Sequence, residues 1–353
     1  MSILYISNYG DINSGWAIAA QSYIRALAQF TRVVPKRIMY APQNPPEDIL
    51  KMEENPEKCK ICIQHVLPNN MVYDGRFYNI GLCFTETSSL GITGWAQKLN
   101  LMDEVCVSCN YSAQILKNSG VTVPIRVFPI PLNPQEMFSA QDFNLEQQVG
   151  HDFLFYTIGD FTRRKNLQAL LKAFYLEFNG EAGLVVKTNV EHQKVEEFCN
   201  NIKKGLKIRG EETIISGYSS RQQVFSIHKS CDVFVCPSYG EAWSIPTHEA
   251  MCAGKTPIVT NFSAFPDYIS NDNGWLVDYE LESCFGAETF DDLHTAYEQW
   301  ASIKIDDLRR CMREAFENNL IRKTKSIKCM KKALELSPEK IGQKMYDAIR
   351  DKA

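Results

Sequence analysis

The chain has 353 residues, 44% of them hydrophobic and 23% charged, with a net charge of −4. That length allows two domains, and that balance is ordinary for a soluble globular protein. The acidic balance argues against a nucleic-acid partner, and no apolar run is long enough for a membrane span. The N-terminus starts directly with a strand, without a basic segment followed by an apolar core. No signal peptide is expected, and the expected location is cytoplasmic. Most of the twelve cysteines lie inside apolar runs (Cys83, Cys106, Cys231, Cys236 and Cys252) and read as small buried hydrophobes. The pairs Cys59/Cys62 and Cys106/Cys109 leave zinc open beside the plainer reading of reduced thiols.

Residues 2–7 read as a strand and 8–15 as a polar, glycine-bearing loop. Residues 16–30 show helical spacing through Ile18, Tyr23, Ile24 and Leu27. Strand, loop and helix in this order suit the approach of a phosphate, because a helix N-terminus carries partial positive charge. There is no G-x-G-x-x-G, so a dinucleotide fingerprint is absent. Residues 33–39 are a second strand candidate, and 41–60 read as a long surface connection. Strands at 61–67 and 78–84 each end in polar residues, which in an open α/β sheet project where ligands bind. A strand at 102–108, a helix at 111–117 and a strand at 125–128 follow. Pro129, Pro131 and Pro134 then end regular structure. A domain boundary belongs between there and Gly150.

The pattern restarts with a strand at 153–158. The loop after it carries Arg163, Arg164 and Lys165. A stripe of Leu167, Leu170, Leu171, Phe174 and Phe178 marks a core-facing helix. Strands at 183–188 and 213–216, the pair Gly217 and Tyr218, and a helix at 220–230 come next. Residues 232–236 and 256–260 are short apolar runs of the kind buried on both faces of a parallel sheet. Between them Pro246 suits a first helical turn and Gly254 the residue past a helix end. Glu241 then lies in a loop over the sheet and Glu249 about one turn into the helix. Two carboxylates face one crevice beside backbone N–H groups that attract phosphate. A closing strand is expected at 273–277. From 290 onward the pattern reads as helical through Trp300, Met312 and Leu320, with Ser337 capping a last helix that opens on Pro338. The basic segment 322–332 reads as a solvated helix face, with an anionic surface as the alternative.

Pro237, Ser238, Glu241, Pro246, Glu249, Ala250, Met251, Gly254 and Pro257 together resemble a known signature. It is the E-x7-E motif of retaining glycosyltransferases of the large GT-B family 4, the glycosyl transferases group 1. That motif is usually written P-S-x-x-E-G-F-G-x-P-x-x-E-A-M-A-x-G-x-P-V. The chain departs from it at Ala242, Trp243 and Ser244, where the family prefers Gly, Phe and Gly. The resemblance covers the second half well and the first half loosely. It implies an α/β, GT-B architecture of two Rossmann-like domains facing across a cleft. Residues 1–145 would form the acceptor side and 146–335 the nucleotide-sugar side, with 336–353 a helix crossing back to the first domain.

By the same resemblance Glu249 accepts hydrogen bonds from the ribose, and Glu241 holds the donor sugar and favours positive charge at its anomeric carbon. Arg164 and Lys165 match the family's later basic pair. With the backbone N–H groups of Trp243, Ser244 and Ile245 they would hold the diphosphate. Glu241, Lys165 and Arg164 are the catalytic candidates. The family's first arginine falls on Asp160, and Arg163 is the candidate to compensate. Tyr218 would lie near the nucleobase, Gly15 would face the diphosphate from the opposite wall, and Asp267 lies in a loop that often carries Glu. Glu86, ahead of Trp95, resembles a Glu-Thr element of some members. Glu86, His65, Asp11, Asn13 and Trp16 are the acceptor-side candidates, and His65 reads equally as a satisfied histidine at the edge of the core. The absence of a D-x-D argues against the metal-dependent GT-A class, so neither metal nor other cofactor is expected. The implied partners are a nucleotide sugar, GDP-mannose or a UDP-hexose, and an acceptor hydroxyl on a glycan or other glycoconjugate. The chain would be a monomer or homodimer. A non-catalytic nucleotide-sugar or glycan-binding protein on the same frame is the alternative, and a GT-B phosphorylase or epimerase is a second.

Overall fold

The computed structural model describes residues 1–11, 14–38, 43–138, 140–141, 145–208, 210, 212–287 and 292–352. The chain divides into two units, each with its own parallel sheet. Unit 1 comprises Met1–Leu132, Phe290–Glu298 and Glu335–Ala353, and unit 2 comprises Asn133–Thr289 and Gln299–Leu334.

In unit 1 the order is β1 (Ser2–Ser7), α1 (Gly15–Ala28), β2 (Arg32–Arg37), α2 (Glu47–Leu50), β3 (Ile61–His65), β4 (Tyr78–Leu82), α3 (Trp95–Leu99), β5 (Glu104–Val107), α4 (Asn110–Asn118) and β6 (Ile125–Val127). The strands form one parallel sheet in the order β2-β1-β3-β4-β5-β6. Every residue of β3 and β5 is buried, Gln64, His65 and Glu104 included, so neither strand alternates between a buried and a solvated face. Val105, Val107, Leu99, Leu116 and Trp95 share one apolar core. The strand order reverses beside β1, where Ser7 lies opposite His65 at the carboxyl ends of β1 and β3.

Unit 2 runs α5 (Gln135–Phe138), α6 (Leu145–Val149), β7 (Leu154–Ile158), α7 (Leu167–Glu177), β8 (Gly183–Lys187), α8 (His192–Leu206), β9 (Thr213–Ile215), α9 (Arg221–Ser230), β10 (Val233–Cys236), α10 (Ile245–Cys252), β11 (Thr256–Thr260), β12 (Trp275–Val277), β13 (Tyr279–Ser283), β14 (Gln299–Ile303), α11 (Ile305–Glu317) and α12 (Asn319–Glu335). Its parallel sheet has the order β12-β11-β10-β7-β8-β9. Counted from β7, that is the doubly wound order 3-2-1-4-5-6 read from the far edge, with its reversal between β7 and β10. Leu170, Leu171 and Phe174 of α7 pack with Phe155, Val233, Val235 and Ile258 of the sheet in one core.

One expectation is corrected. Trp300 lies not on a helix but on β14, antiparallel to β13. Its ring is fully buried and stacked on Tyr239, with centroids 4.7 Å apart, and the Ala301 N–H donates to the Tyr239 carbonyl at 2.8 Å. Packing across to the loop after β10 thus outweighs the local helical spacing. Regular helix begins at Ile305 and includes Met312, and Leu320 lies on α12. Phe290 lies outside the described residues.

The last helix, α13 (Pro338–Ile349), is N-capped by Ser337 and packs against α1 in unit 1. A Cβ on Gly342 would come within 2.3 Å of the Ala26 carbonyl oxygen, so only glycine permits this approach. Phe30 and Tyr346 stack at the same contact. All twelve cysteines are buried thiols outside any disulfide. Among the described residues no helix is long and apolar enough to cross a membrane.

Candidate active site

The loops after β7 and β10 leave the sheet at its point of reversal, where a doubly wound sheet opens a crevice at its carboxyl edge. They are stitched together by backbone groups. The Tyr239 N–H donates to the Arg164 carbonyl at 2.9 Å, and the Arg164 Nη1 donates to the Gly240 carbonyl at 2.7 Å. Asn166, in the left-handed region at φ 52°, N-caps α7 through its side chain and donates Nδ2 to the Pro237 carbonyl at 3.2 Å. These bonds fix a short 3-10 turn, Arg163–Lys165, against the segment carrying Glu241.

The Glu241 side chain is 5% exposed and receives Lys165 Nζ at 2.6 Å and Arg164 Nη1 at 3.0 Å. Its backbone N–H donates to Ser263 Oγ at 2.9 Å. Burial works to raise its pKa. The charges of Arg164 and Lys165 outweigh that and hold the carboxyl below the usual carboxylate range. The second cation-rich neighbour, Arg163, turns elsewhere: its guanidinium donates to the Phe285 carbonyl at 2.7 Å, pairs with Glu282 at 3.3 Å and lies over the Trp300 ring.

Ser244 ends the loop at φ 67°, in the left-handed region that favours glycine, and makes no side-chain cap on α10. Its hydroxyl instead lies 2.8 Å from Thr247 Oγ1. Ile245 is the first helical residue and Pro246 follows it in the first turn. Trp243 is buried, with its ring stacked on Tyr268 at 4.4 Å and its Nε1 donating to His248 Nδ1 at 3.2 Å. It therefore offers the crevice backbone rather than indole.

Glu249, on α10, is also buried, and it is held from a different side. Arg221, the first residue of α9, donates to Oε1, and His228 Nε2 lies 3.4 Å from Oε2. The Tyr156 hydroxyl lies 2.8 Å from His228 Nδ1. Burial lowers the His228 pKa, which favours a neutral ring beside Glu249. The carboxyl of Glu249 is held below the usual range: burial opposes this, and the Arg221 charge and the His228 contact outweigh it. Sequence reading missed Arg221, His228 and Tyr156. The i, i+7 spacing of Arg221 and His228, which puts both on one face of a helix, was the available signal.

Gly217, at φ 81°, turns the chain after β9, and Tyr218 beyond it is 62% exposed. Buried Lys187 at the end of β8 fixes this turn by donating to the Gly217 carbonyl at 2.6 Å. Asp267 closes a short turn after β11.

Gly15, Trp16 and His65 lie at the reversal beside β1, on α1 and β3. Gly15 is exposed at the start of α1, which Ser14 caps by accepting from the Trp16 N–H at 3.1 Å. The Trp16 Nε1 donates to the His65 carbonyl at 3.2 Å, and its ring lies 4.8 Å from the imidazole. His65 is fully buried among Tyr5, Trp16, Tyr23 and Phe84, its Nδ1 lies 2.9 Å from the Tyr5 hydroxyl, and burial pushes its pKa down to about 3. Asp11 bridges to Gln43, and Glu86 is half-buried after β4. Asn13 lies outside the described residues.

Residues 140–284 match the family model for Glycosyl transferases group 1. That span holds every unit 2 candidate. A 115-residue stretch is 25% identical to the serotype-specific mannosyltransferase WbdA of Escherichia coli, and is 32% of this chain and 14% of that protein. The chain thus spans only a small part of the curated relatives it matches. Over 99% of its length it superposes on sucrose-phosphate synthase from Thermosynechococcus elongatus, with a TM-score of 0.71, 14% identity and 98% of that chain covered. It superposes equally on Anabaena HepE in complex with UDP-glucose, with a TM-score of 0.71 and 11% identity, over 99% of this chain and 100% of that one. The fold is GT-B.

Proposed function

We propose that this protein is a retaining, metal-independent glycosyltransferase. It would move a hexose from a nucleotide-diphosphate sugar, GDP-mannose or a UDP-hexose, to a hydroxyl of a glycan or glycoconjugate. The observation that carries this reading is the pairing of buried Glu241 with Arg164 and Lys165 at the strand reversal of unit 2. Breaking a glycosidic bond to a diphosphate puts growing negative charge on the leaving group, and preorganised cations stabilise it in a site shielded from water. The cations that neutralise Glu241 in the free protein are the two assigned to the diphosphate. With the backbone at Trp243, Ser244 and Ile245 they supply the positive charge that other transferases draw from a metal. Glu241 stays ionised and so favours positive charge at the anomeric carbon. Glu249, oriented by Arg221 and His228, accepts from the ribose hydroxyls. Gly217 and Tyr218 flank the base. Gly15 is assigned to the diphosphate, and Trp16, Asp11 and Glu86 to the acceptor side. The acceptor hydroxyl attacks the face that the leaving group vacates, which retains the anomeric configuration.

The test is a thermal-shift panel of sugar nucleotides, followed by a donor-turnover assay with and without chelator. One nucleotide class should stabilise the protein, and turnover should survive chelation with an unchanged anomer in the product. No stabilisation by any sugar nucleotide would end the proposal. Binding without hydrolysis or transfer would turn it into a binding protein, and loss of turnover with chelator would return a metal to the reaction.

A further inference from the structure

Helix α12 packs into unit 2 through Lys325, Cys329 and Ala333 and turns its other face to solvent. On that face Leu320 is 79%, Ile327 70% and Leu334 54% exposed. Successive members are seven residues apart, so they drift only about 20° around the helix at each step. They form a single apolar line about 21 Å long at the usual rise per residue. Lys323 and Lys331 lie on either side of it, exposed and without an ion pair among the described residues. The helix as a whole carries six basic residues against one acidic residue. Scattered exposed leucines are ordinary, but an aligned row flanked by unpaired cations is a surface with a direction.

We propose that this face of α12 docks on a bilayer surface bearing anionic headgroups. A second copy of the helix fits poorly. A coiled-coil seam needs a second apolar row three or four residues from the first. Those positions hold Lys323, Thr324, Met330 and Lys331, and the lysines of two copies would repel each other. A bilayer accepts the same pattern: the aliphatic row enters the interface while each lysine stretches its stem along it and leaves its charge among the phosphates.

The test is cosedimentation of the full chain with vesicles of phosphatidylcholine alone and of phosphatidylcholine with phosphatidylglycerol. The chain should partition onto the anionic vesicles roughly 25-fold more strongly. Lys323→Gln and Lys331→Gln should each weaken that partitioning about fivefold. Leu320→Asn with Ile327→Asn should abolish it, while circular dichroism stays unchanged because both sites are exposed. Equal binding to both vesicle types, or no effect of these substitutions, would overturn the proposal. So would self-association in sedimentation velocity that Ile327→Asn removes while vesicles bind nothing.

Discussion

Glu241 carries most of the residue-scale chemistry, and its two partners are not equivalent to it. Glu241 is buried, whereas the Arg164 and Lys165 side chains are 22% and 19% exposed and can turn to water. Removing one cation leaves a buried charge with only one of its two neutralising partners; removing the carboxylate leaves cations that can reach water. Lys165→Met should therefore destabilise the fold by about 3 kcal/mol at neutral pH, and Glu241→Gln by only about 1 kcal/mol, in chemical denaturation. Both should lower donor turnover by roughly two orders of magnitude or more. The pH dependence follows from the depressed Glu241 pKa. A carboxyl whose folded pKa lies below its unfolded one adds stability that is complete above the unfolded value. That stability is lost as the pH falls from the ordinary carboxylate range toward the folded value. The stability gap between wild type and Glu241→Gln should thus close on acidification, and a gap that widens would contradict the pairing. His228 follows the same sign. Its lowered pKa means the folded state resists protonation, so its contribution is complete above the ordinary histidine value and falls below it. Glu241 and Glu249 stand out in the sequence because their spacing resembles a motif. The partners of Glu249 were not, because Tyr156, Arg221 and His228 come from β7 and α9 and meet only in the folded sheet.

At the scale of elements, Asn166 joins loop geometry to site geometry. It occupies the left-handed region, caps α7 and reaches the Pro237 carbonyl. Asn166→Ala loses the cap and the cross-loop bond, and an alanine strains that backbone by a further 1 kcal/mol or so. A loss of about 3 kcal/mol is expected. Asn166→Gly removes the same bonds without the strain and should be about 1 kcal/mol less destabilising. Equal effects of the two substitutions in thermal melts would show that the conformation carries no strain. The strands of the two parallel sheets were legible because strands buried on both faces are largely apolar runs. The helix α8 was not: only Val195, Cys199 and Ile202 are buried in it, too few to stand out among its charged residues. The ribbon of β13 and β14 escaped for another reason. Its alternation is weak, and its place is decided by Tyr239 and by Arg163 rather than by its own residues.

At the scale of the whole molecule, chain order and spatial unit diverge, and that divergence sets a thermodynamic test. Residues after 334 rejoin unit 1 through α13, as the family resemblance implied. Part of the stretch before β14 rejoins it too, and no local pattern announced that. Leu293 enters the unit 1 core, and the Asp292 carbonyl accepts from the Ile92 N–H at 3.0 Å, contacts that exist only once both segments are folded. Each unit has its own apolar core and its own sheet, so heat should unfold them in separable transitions. The residues proposed for the nucleotide lie in unit 2 except Gly15. A nucleoside diphosphate at a hundred times its dissociation constant should stabilise that unit by about 2.7 kcal/mol and raise its transition alone. Gly342→Ala acts on the other unit. Its methyl group would meet the Ala26 carbonyl oxygen at 2.3 Å, so α13 must shift from α1, at a cost of about 1 to 3 kcal/mol. It should lower the unit 1 transition and leave the nucleotide-dependent one in place. Scanning calorimetry of wild type and Gly342→Ala, each with and without the nucleotide, reads both effects. A nucleotide shift confined to the transition that Gly342→Ala lowers would move the binding site to unit 1 and undo the assignment of Arg164, Lys165, Glu241 and Glu249 to the donor.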